Sequence, residues 1–166
     1  MKHVMGPNSR TILTNVNESD VQPNAVDLRL DKVFSIGSSQ FEISNDYKVH
    51  RQPSIELIPD HEDFFLLSAG HRYEVIMENI ITVGEGECGW VITRSSLNRN
   101  GVFITSGLYD SGYHGVMAAV LHVFNGTARI KKGTRIGQYL SFDSESLRQY
   151  DGDYGIGKSH DKKYGV

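Results

Sequence analysis

The chain is poor in cysteine, has no long apolar run and carries no surplus of positive charge. Cys88 is the single cysteine in 166 residues, so no intrachain disulfide can form and a Cys-rich zinc module is excluded. That usage fits a reducing, cytoplasmic setting. No apolar stretch approaches the ~20 residues of a membrane span. The opening MKHVMGPNSR has no apolar signal core, so neither membrane insertion nor export is expected. Lys and Arg total 17 against 20 Asp and Glu, a formal charge of −3. No global basic field is present to recruit nucleic acid or an anionic membrane. Local Lys and Arg still allow a small anionic ligand. The seven histidines (3, 50, 61, 71, 114, 122, 160) include no pair at metal-ligand spacing, and there is no P-loop or Gly-rich dinucleotide fingerprint.

What is present reads as strand. Val26, Leu28 and Leu30 alternate with Asp27 and Arg29, and Tyr73, Val75 and Met77 share one face of HRYEVIMENI (71–80). Gly89–Ile92 and Val102–Ile104 are short apolar runs. VMAAVLHVF (116–124) has the look of a strand buried on both faces. RIGQYLSF (135–142) follows the turn Lys131-Lys132-Gly133. No segment sustains a 3.6-residue period over three turns. The expectation is an all-β sandwich or jelly-roll-like barrel over 1–150. The first twenty residues are polar and are expected to be only partly ordered. The tail DGDYGIGKSHDKKYGV (151–166) has few residues able to enter a core, so it is expected to be flexible, either an idle end or a lid.

Four polar groups stand out. RSSLNRNG (94–101) offers guanidinium donors at Arg94 and Arg99 and hydroxyls at Ser95 and Ser96, a set able to hold a polyphosphate or simply to form a solvated turn. YDSGYHG (109–115) places Asp110 at a Gly-bearing turn, where it is either a general base or ordinary turn chemistry. KKGTRIGQ (131–138) sets two lysines, Arg135 and Gln138 around two glycines. QPNAVDLRL (22–30) sets Asp27 inside an apolar alternation, facing either water or a metal-bound water.

In this order and wording the four groups resemble the motifs of the dUTPase and dCTP deaminase superfamily, from about Gln22 to Phe142. FFLLSAGHRYEVIMENIITVGEGECGWVITRSSLNRNG (64–101) is closest to the deaminase wording, including Arg99 at the end of the second motif. The resemblance implies a distorted jelly-roll β-barrel of the dUTPase-like type, assembled as a homotrimer with sites between subunits. It implies a deoxypyrimidine nucleoside triphosphate, dUTP foremost, bound with Mg²⁺. By the same resemblance Asp110 activates the attacking water, and Tyr113 packs beneath the deoxyribose and excludes a 2′-hydroxyl. Arg94, Ser95, Ser96, Arg99 and Gln138 contact the phosphates, and Asp27 touches the metal's water shell. Ser106, Gly107 and Leu108 lie in the hairpin that reads the base. Tyr154, Lys163 and Tyr164 echo the deaminase tail as a lid over the phosphates.

One position separates the two activities. The deaminases of the superfamily carry a water-activating glutamate five residues after the glycine that closes the third motif. That glycine is Gly115 here, and the fifth residue on is Val120. No Asp or Glu occurs between Ser111 and Ser141, so a shift of register does not restore the acid. The expected reaction is therefore dUTP plus water giving dUMP and diphosphate. Deamination of dCTP, or diphosphate release from dCTP or a modified pyrimidine triphosphate, is the alternative chemistry. A non-catalytic nucleotide-sensing or partner-binding protein is the alternative of another class.

Overall fold

The structure is a computed structural model describing residues 1–52 and 54–166. Among the described residues thirteen strands are present. In chain order they are β1 (Ile12–Leu13), β2 (Val26–Ser35), β3 (Glu42–Ile43), β4 (Lys48–Val49), β5 (Ile55–Glu56), β6 (Phe64–Leu67), β7 (Arg72–Thr82), β8 (Glu87–Thr93), β9 (Val102–Thr105), β10 (Leu108–Tyr109), β11 (His114–Val123), β12 (Ala128–Lys131) and β13 (Arg135–Asp143). One short helix, α1 (Ser95–Asn98), bridges β8 and β9. The antiparallel main sheet runs β10-β8-β13-β2-β7-β11-β9, with β1 added to β7 and β5 to β2. It curls until its ends approach. Thr93 at the end of β8 donates its hydroxyl to the Ile104 carbonyl at 3.1 Å and accepts the Ile104 amide at 2.8 Å, so one side chain stands in for a ladder between β8 and β9. This is the curled, nearly all-β jelly-roll expected.

Alternation decides which residues fill it. Val26, Leu28, Leu30 and Val33 of β2, Val75 and Met77 of β7, and Met117, Ala119 and Leu121 of β11 point inward and are buried. Their removal from water supplies the main folding drive. The pair β6–β12 adds Phe65, Leu67 and Ile130 to the same core. Tyr139 is wholly buried against Gly89, where a Cβ would lie 1.9 Å from the phenol oxygen, so only glycine fits. β11 departs from the expected strand buried on both faces: Ala118, Val120 and His122 are only half-buried. The outer face of the sheet is covered chiefly where Phe34, Ile76 and Val116 meet Tyr164.

Both ends of the chain are held more closely than their composition suggests. Glu87, wholly buried at the start of β8, accepts Lys2 Nζ at 2.8 Å, the amides of Arg10 (2.8 Å) and Thr11 (2.9 Å), and the Thr11 hydroxyl. This single carboxylate straps the polar N-terminus to the sheet. The tail folds back on β7 and β11. The Ile156 amide reaches the His114 carbonyl at 3.0 Å, and buried Asp161 accepts the Gly155 amide at 2.7 Å. Lys32 Nζ donates to the Tyr164 carbonyl at 2.7 Å. These partners of the tail lie far away in sequence.

Candidate active site

The turn bearing Asp110 is built between β10 and β11. Gly112 takes φ 82°, a conformation that favours glycine. The Tyr113 amide returns to the Asp110 carbonyl at 3.0 Å. Buried Ser111 clips the turn to the β7–β8 connection, donating to the Gly84 carbonyl and accepting the Gly86 amide, both at 3.2 Å. Asp110 is thereby left exposed on the rim of a cleft of about 810 Å³ that also includes Cys88, Leu108, Gln149 and Tyr150.

A second cleft of about 390 Å³ lies alongside and shares Leu108 and Tyr150 with the first. Its walls are aromatic. The Tyr113 ring stands edge-on to Tyr109 (centroids 5.5 Å) and Tyr150 (5.4 Å), and its hydroxyl donates to the Val116 carbonyl at 2.9 Å. Burial pushes the Tyr113 phenol well above its ordinary value, so it stays neutral. Gly115 makes this possible, since a Cβ there would meet the Tyr113 hydroxyl at 2.5 Å. Gly107 and Leu108 enter from the hairpin and are exposed. Ser106 braces that hairpin, accepting the Val91 amide at 3.2 Å and donating to the Gly107 carbonyl at 2.9 Å.

The tail closes one side of this cleft. Tyr154, His160, Asp161 and Tyr164 line it. Lys163 Nζ donates to Glu74 at 2.9 Å, and the Tyr164 hydroxyl donates to the same carboxylate. Two of the three tail side chains expected at the phosphates, Lys163 and Tyr164, are thus engaged by Glu74 of β7, and the third, Tyr154, stands edge-on to His160.

The remaining site residues form a separate group at the junction of β2, β8 and β13. Asp27 and Gln138 are directly paired across β2 and β13, and Gln138 Nε2 donates to Asp27 Oδ1 at 3.0 Å. Arg94 Nε lies 3.3 Å and Arg135 Nη1 3.6 Å from Asp27 Oδ2, and the carboxylate is wholly buried. Oδ2 accepts no hydrogen bond from the described residues. Arg94 caps α1, whose Ser95 and Ser96 present exposed side chains, with exposed Arg99 closing its last turn.

The structure therefore brings Asp110, Tyr113, Gly107, Leu108, Tyr154 and Tyr164 around two adjoining clefts. Arg94, Ser95, Ser96, Arg99, Gln138 and Asp27 line neither cleft. Glu74, Tyr150 and His160 join these groups without having been singled out by sequence as site residues, and Arg135, noted within KKGTRIGQ, joins them without having been given a role. Glu74 occupies an outward position in the Tyr73–Val75–Met77 alternation, where a lone acid reads as solvated. The Asp27 carboxylate faces guanidinium groups and has no surface open to a hydrated cation in this subunit. Among the described residues no group of three or more His, Cys, Asp or Glu is placed to hold a metal ion.

The class defined by these elements is a curled antiparallel β jelly-roll with an aspartate-bearing turn beside a cleft walled by Tyr113. The comparisons make this specific. Residues 3–143 match the dCTP deaminase-like family, and the chain belongs to that family. It is 30% identical over 155 residues to the deoxyuridine 5'-triphosphate nucleotidohydrolase of Methanocaldococcus jannaschii, covering 91% of this chain and 97% of that protein. It is 29% identical to a dUMP-forming dCTP deaminase of Parafrankia, covering 80% of this chain and 68% of the relative. In fold it resembles the 2'-deoxycytidine 5'-triphosphate deaminase of Agrobacterium tumefaciens (TM-score 0.61, 16% identity, 83% of this chain and 45% of that one). It also resembles a mutant Staphylococcus bacteriophage 80alpha dUTPase with dUpNHpp (TM-score 0.51, 14% identity, 87% of this chain and 97% of that one).

Proposed function

We propose that the protein hydrolyses dUTP to dUMP and diphosphate. The observation that carries this reading is the exposed Asp110, held by its turn at the rim beside the cleft floored by Tyr113. A base near 3 Å from a water needs a fixed backbone and access to solvent, and the Ser111 clip supplies the first. Tyr113, pinned through its hydroxyl, presents a ring with no freedom to retreat, which suits a sugar lacking a 2′-hydroxyl. Gly107 and Leu108 stand where a base edge would lie.

Phosphoryl displacement is mainly positioning and charge neutralisation. Arg94, Ser95, Ser96, Arg99 and Gln138 are the donors for the triphosphate. They stand apart from Asp110 within one subunit, so the proposed site combines the Asp110 side of one subunit with the α1 side of another in a homotrimer. The divalent ion is Mg²⁺, which prefers phosphate oxygens and waters to a protein cage and when bound neutralises charge on the triphosphate. In this reading Lys163 and Tyr164 exchange Glu74 for the ligand when the tail moves, and Tyr154, now edge-on to His160, moves with them. The working compartment is the cytoplasm.

A product assay with Mg²⁺ and each of dUTP, dCTP, dTTP and UTP tests the reading, resolving base and phosphate products. Diphosphate and dUMP from dUTP, lost in Asp110→Asn with dUTP binding retained, is the expected result. Unchanged turnover in Asp110→Asn overturns the assignment of the base. One observation favours a second reading, deamination of dCTP. Val120 is paired directly with Glu74 across β11 and β7, so a neighbouring strand brings a carboxylate to the cleft. In this structure Lys163 and Tyr164 occupy it. Ammonia release from dCTP, abolished in Glu74→Gln, would establish that alternative.

A further inference from the structure

The pairing of one buried carboxylate with two arginines is the least expected feature of the molecule. Asp27 and Gln138 face each other in register, which accounts for their hydrogen bond. Arg135 lies three residues before Gln138, and on a regular strand those two side chains would point to opposite faces. The register of β13 on β2 shifts between Arg135 and Gly137, leaving Ile136 as an extra residue. Such a bulge re-aims a side chain, and here it turns Arg135 to the Asp27 side. Arg94 is fixed from a third direction: its amide reaches the Ile136 carbonyl at 3.2 Å and its guanidinium the Arg135 carbonyl at 3.3 Å.

Charge is not balanced in this cluster. Two guanidinium groups share one carboxylate, and Oδ2 meets them at 3.3 and 3.6 Å without accepting a hydrogen bond. The arginine side chains remain 27% and 37% exposed while Asp27 is wholly buried. Arg94 Nη1 is taken up by the Arg135 carbonyl and Arg135 Nη1 by the Ser19 carbonyl at 2.9 Å, and the rest of each part-exposed guanidinium is left without a protein acceptor. That arrangement suits a polyanion through charge-assisted hydrogen bonds.

We propose that Asp27 is a positioning residue for phosphate binding, and that Arg135 is a phosphate-binding residue alongside Arg94 and Gln138. Asp27 then acts through these donors and not through a metal's water shell. The inference rests on reading the α1 region as the phosphate side of the site, but not on which base is bound or which bond is broken.

The test uses inorganic tripolyphosphate, titrated calorimetrically into the full chain in EDTA, with thermal melts confirming that each variant is folded. Arg135→Gln is expected to weaken binding at least tenfold, and Arg135→Lys to recover part of the loss. Asp27→Asn gives a sharper sign. Removing a negative charge should by itself tighten an anion's binding, whereas loss of positioning predicts about tenfold weaker binding despite the added net charge. The double variant should lose little more than either single one, because both act on one seat. Tighter or unchanged binding in Asp27→Asn overturns the positioning role. A raised Mg²⁺ requirement with unchanged binding in EDTA would assign Asp27 to the metal instead. Unchanged binding in Arg135→Gln, or no tripolyphosphate binding by the wild type, overturns the phosphate role of Arg135. If Asp27→Asn does not fold, the two Arg135 variants still decide that role. Failure to turn over dUTP would reject the proposed function while leaving the tripolyphosphate result to be read separately.

Discussion

Glu87 gives the most direct test of how this fold holds its site. The carboxylate is wholly buried yet stays ionised, because Lys2, the Thr11 hydroxyl and the Arg10 and Thr11 amides together outweigh the cost of its burial. They hold it at about 2, against an ordinary value of 4.5. A group depressed on folding contributes stability that is fully present above its unfolded value and lost as pH falls toward its folded value. The interval corresponds to about 3 kcal/mol at neutral pH, lost progressively between roughly pH 4.5 and pH 2. Glu87→Gln keeps the shape but removes the charge and places an amide donor against donors, so it should cost a similar amount. For a chain of this size that is a fall in Tm of roughly 6–12 °C. The effect should reach the site. The Thr11 hydroxyl also accepts the Gly84 amide at 3.0 Å, and the Gly84 carbonyl accepts Ser111, which sets the Asp110 turn. Urea unfolding of both proteins from pH 7 to pH 3 is the assay. The gap between them should narrow as pH drops below 4.5. A gap under about 0.5 kcal/mol at pH 7, or one that does not change with pH, would refute the reasoning, since surface substitutions produce no more than that.

Other outcomes follow from the same contacts. Asp110→Asn should lower kcat by about 10²- to 10⁴-fold, the usual worth of a positioned base, with binding of a non-hydrolysable dUTP analogue kept. Gly89→Ala forces a Cβ to within 1.9 Å of the buried Tyr139 hydroxyl and should destabilise by about 1–3 kcal/mol in a thermal melt. Glu74→Gln weakens the hold on Lys163 and Tyr164, so limited proteolysis should cut the tail faster, with cleavage mapped C-terminal to Tyr150. Removing residues 151–166 should raise KM or lower kcat for dUTP; unchanged steady-state kinetics would show that the tail does not close over the ligand.

Much of the barrel was legible because its long strands have inward faces that alternate cleanly. β2, β7, β8, β9, β11 and β13 all lie where apolar residues recur every second position. The alternation at Phe41 and Ile43 marks β3, but the two-residue strands β4 and β5 left no such trace: Lys48, Val49, Ile55 and Glu56 are all exposed. Composition alone does not reveal the contacts of either chain end, because each has a distant partner. Lys2 and Thr11 depend on Glu87, and Tyr164 depends on Lys32, Phe34 and Glu74. A local window cannot contain those pairs.

The site shows the same division. Its motifs locate the chemically able residues, but their roles depend on register. Asp27 in isolation reads as a solvated acid or a metal ligand, and only the bulge between Arg135 and Gly137 makes it the shared partner of two arginines. Glu74 in isolation reads as surface charge, and only the register of β7 on β11 sets it opposite Val120 and beneath the tail. In the proposed function the choice of chemistry turns on these two carboxylates. If Asp27 orders the phosphate donors and Glu74 serves only to hold the tail, Asp110 is the acid left free to act on water, and hydrolysis is the chemistry the barrel supports. If Glu74 is instead released when the tail moves, a second base stands in the cleft next to Val120. Comparing Glu74→Gln with Asp110→Asn on dUTP and dCTP separates the two, because only the first chemistry should survive the loss of Glu74.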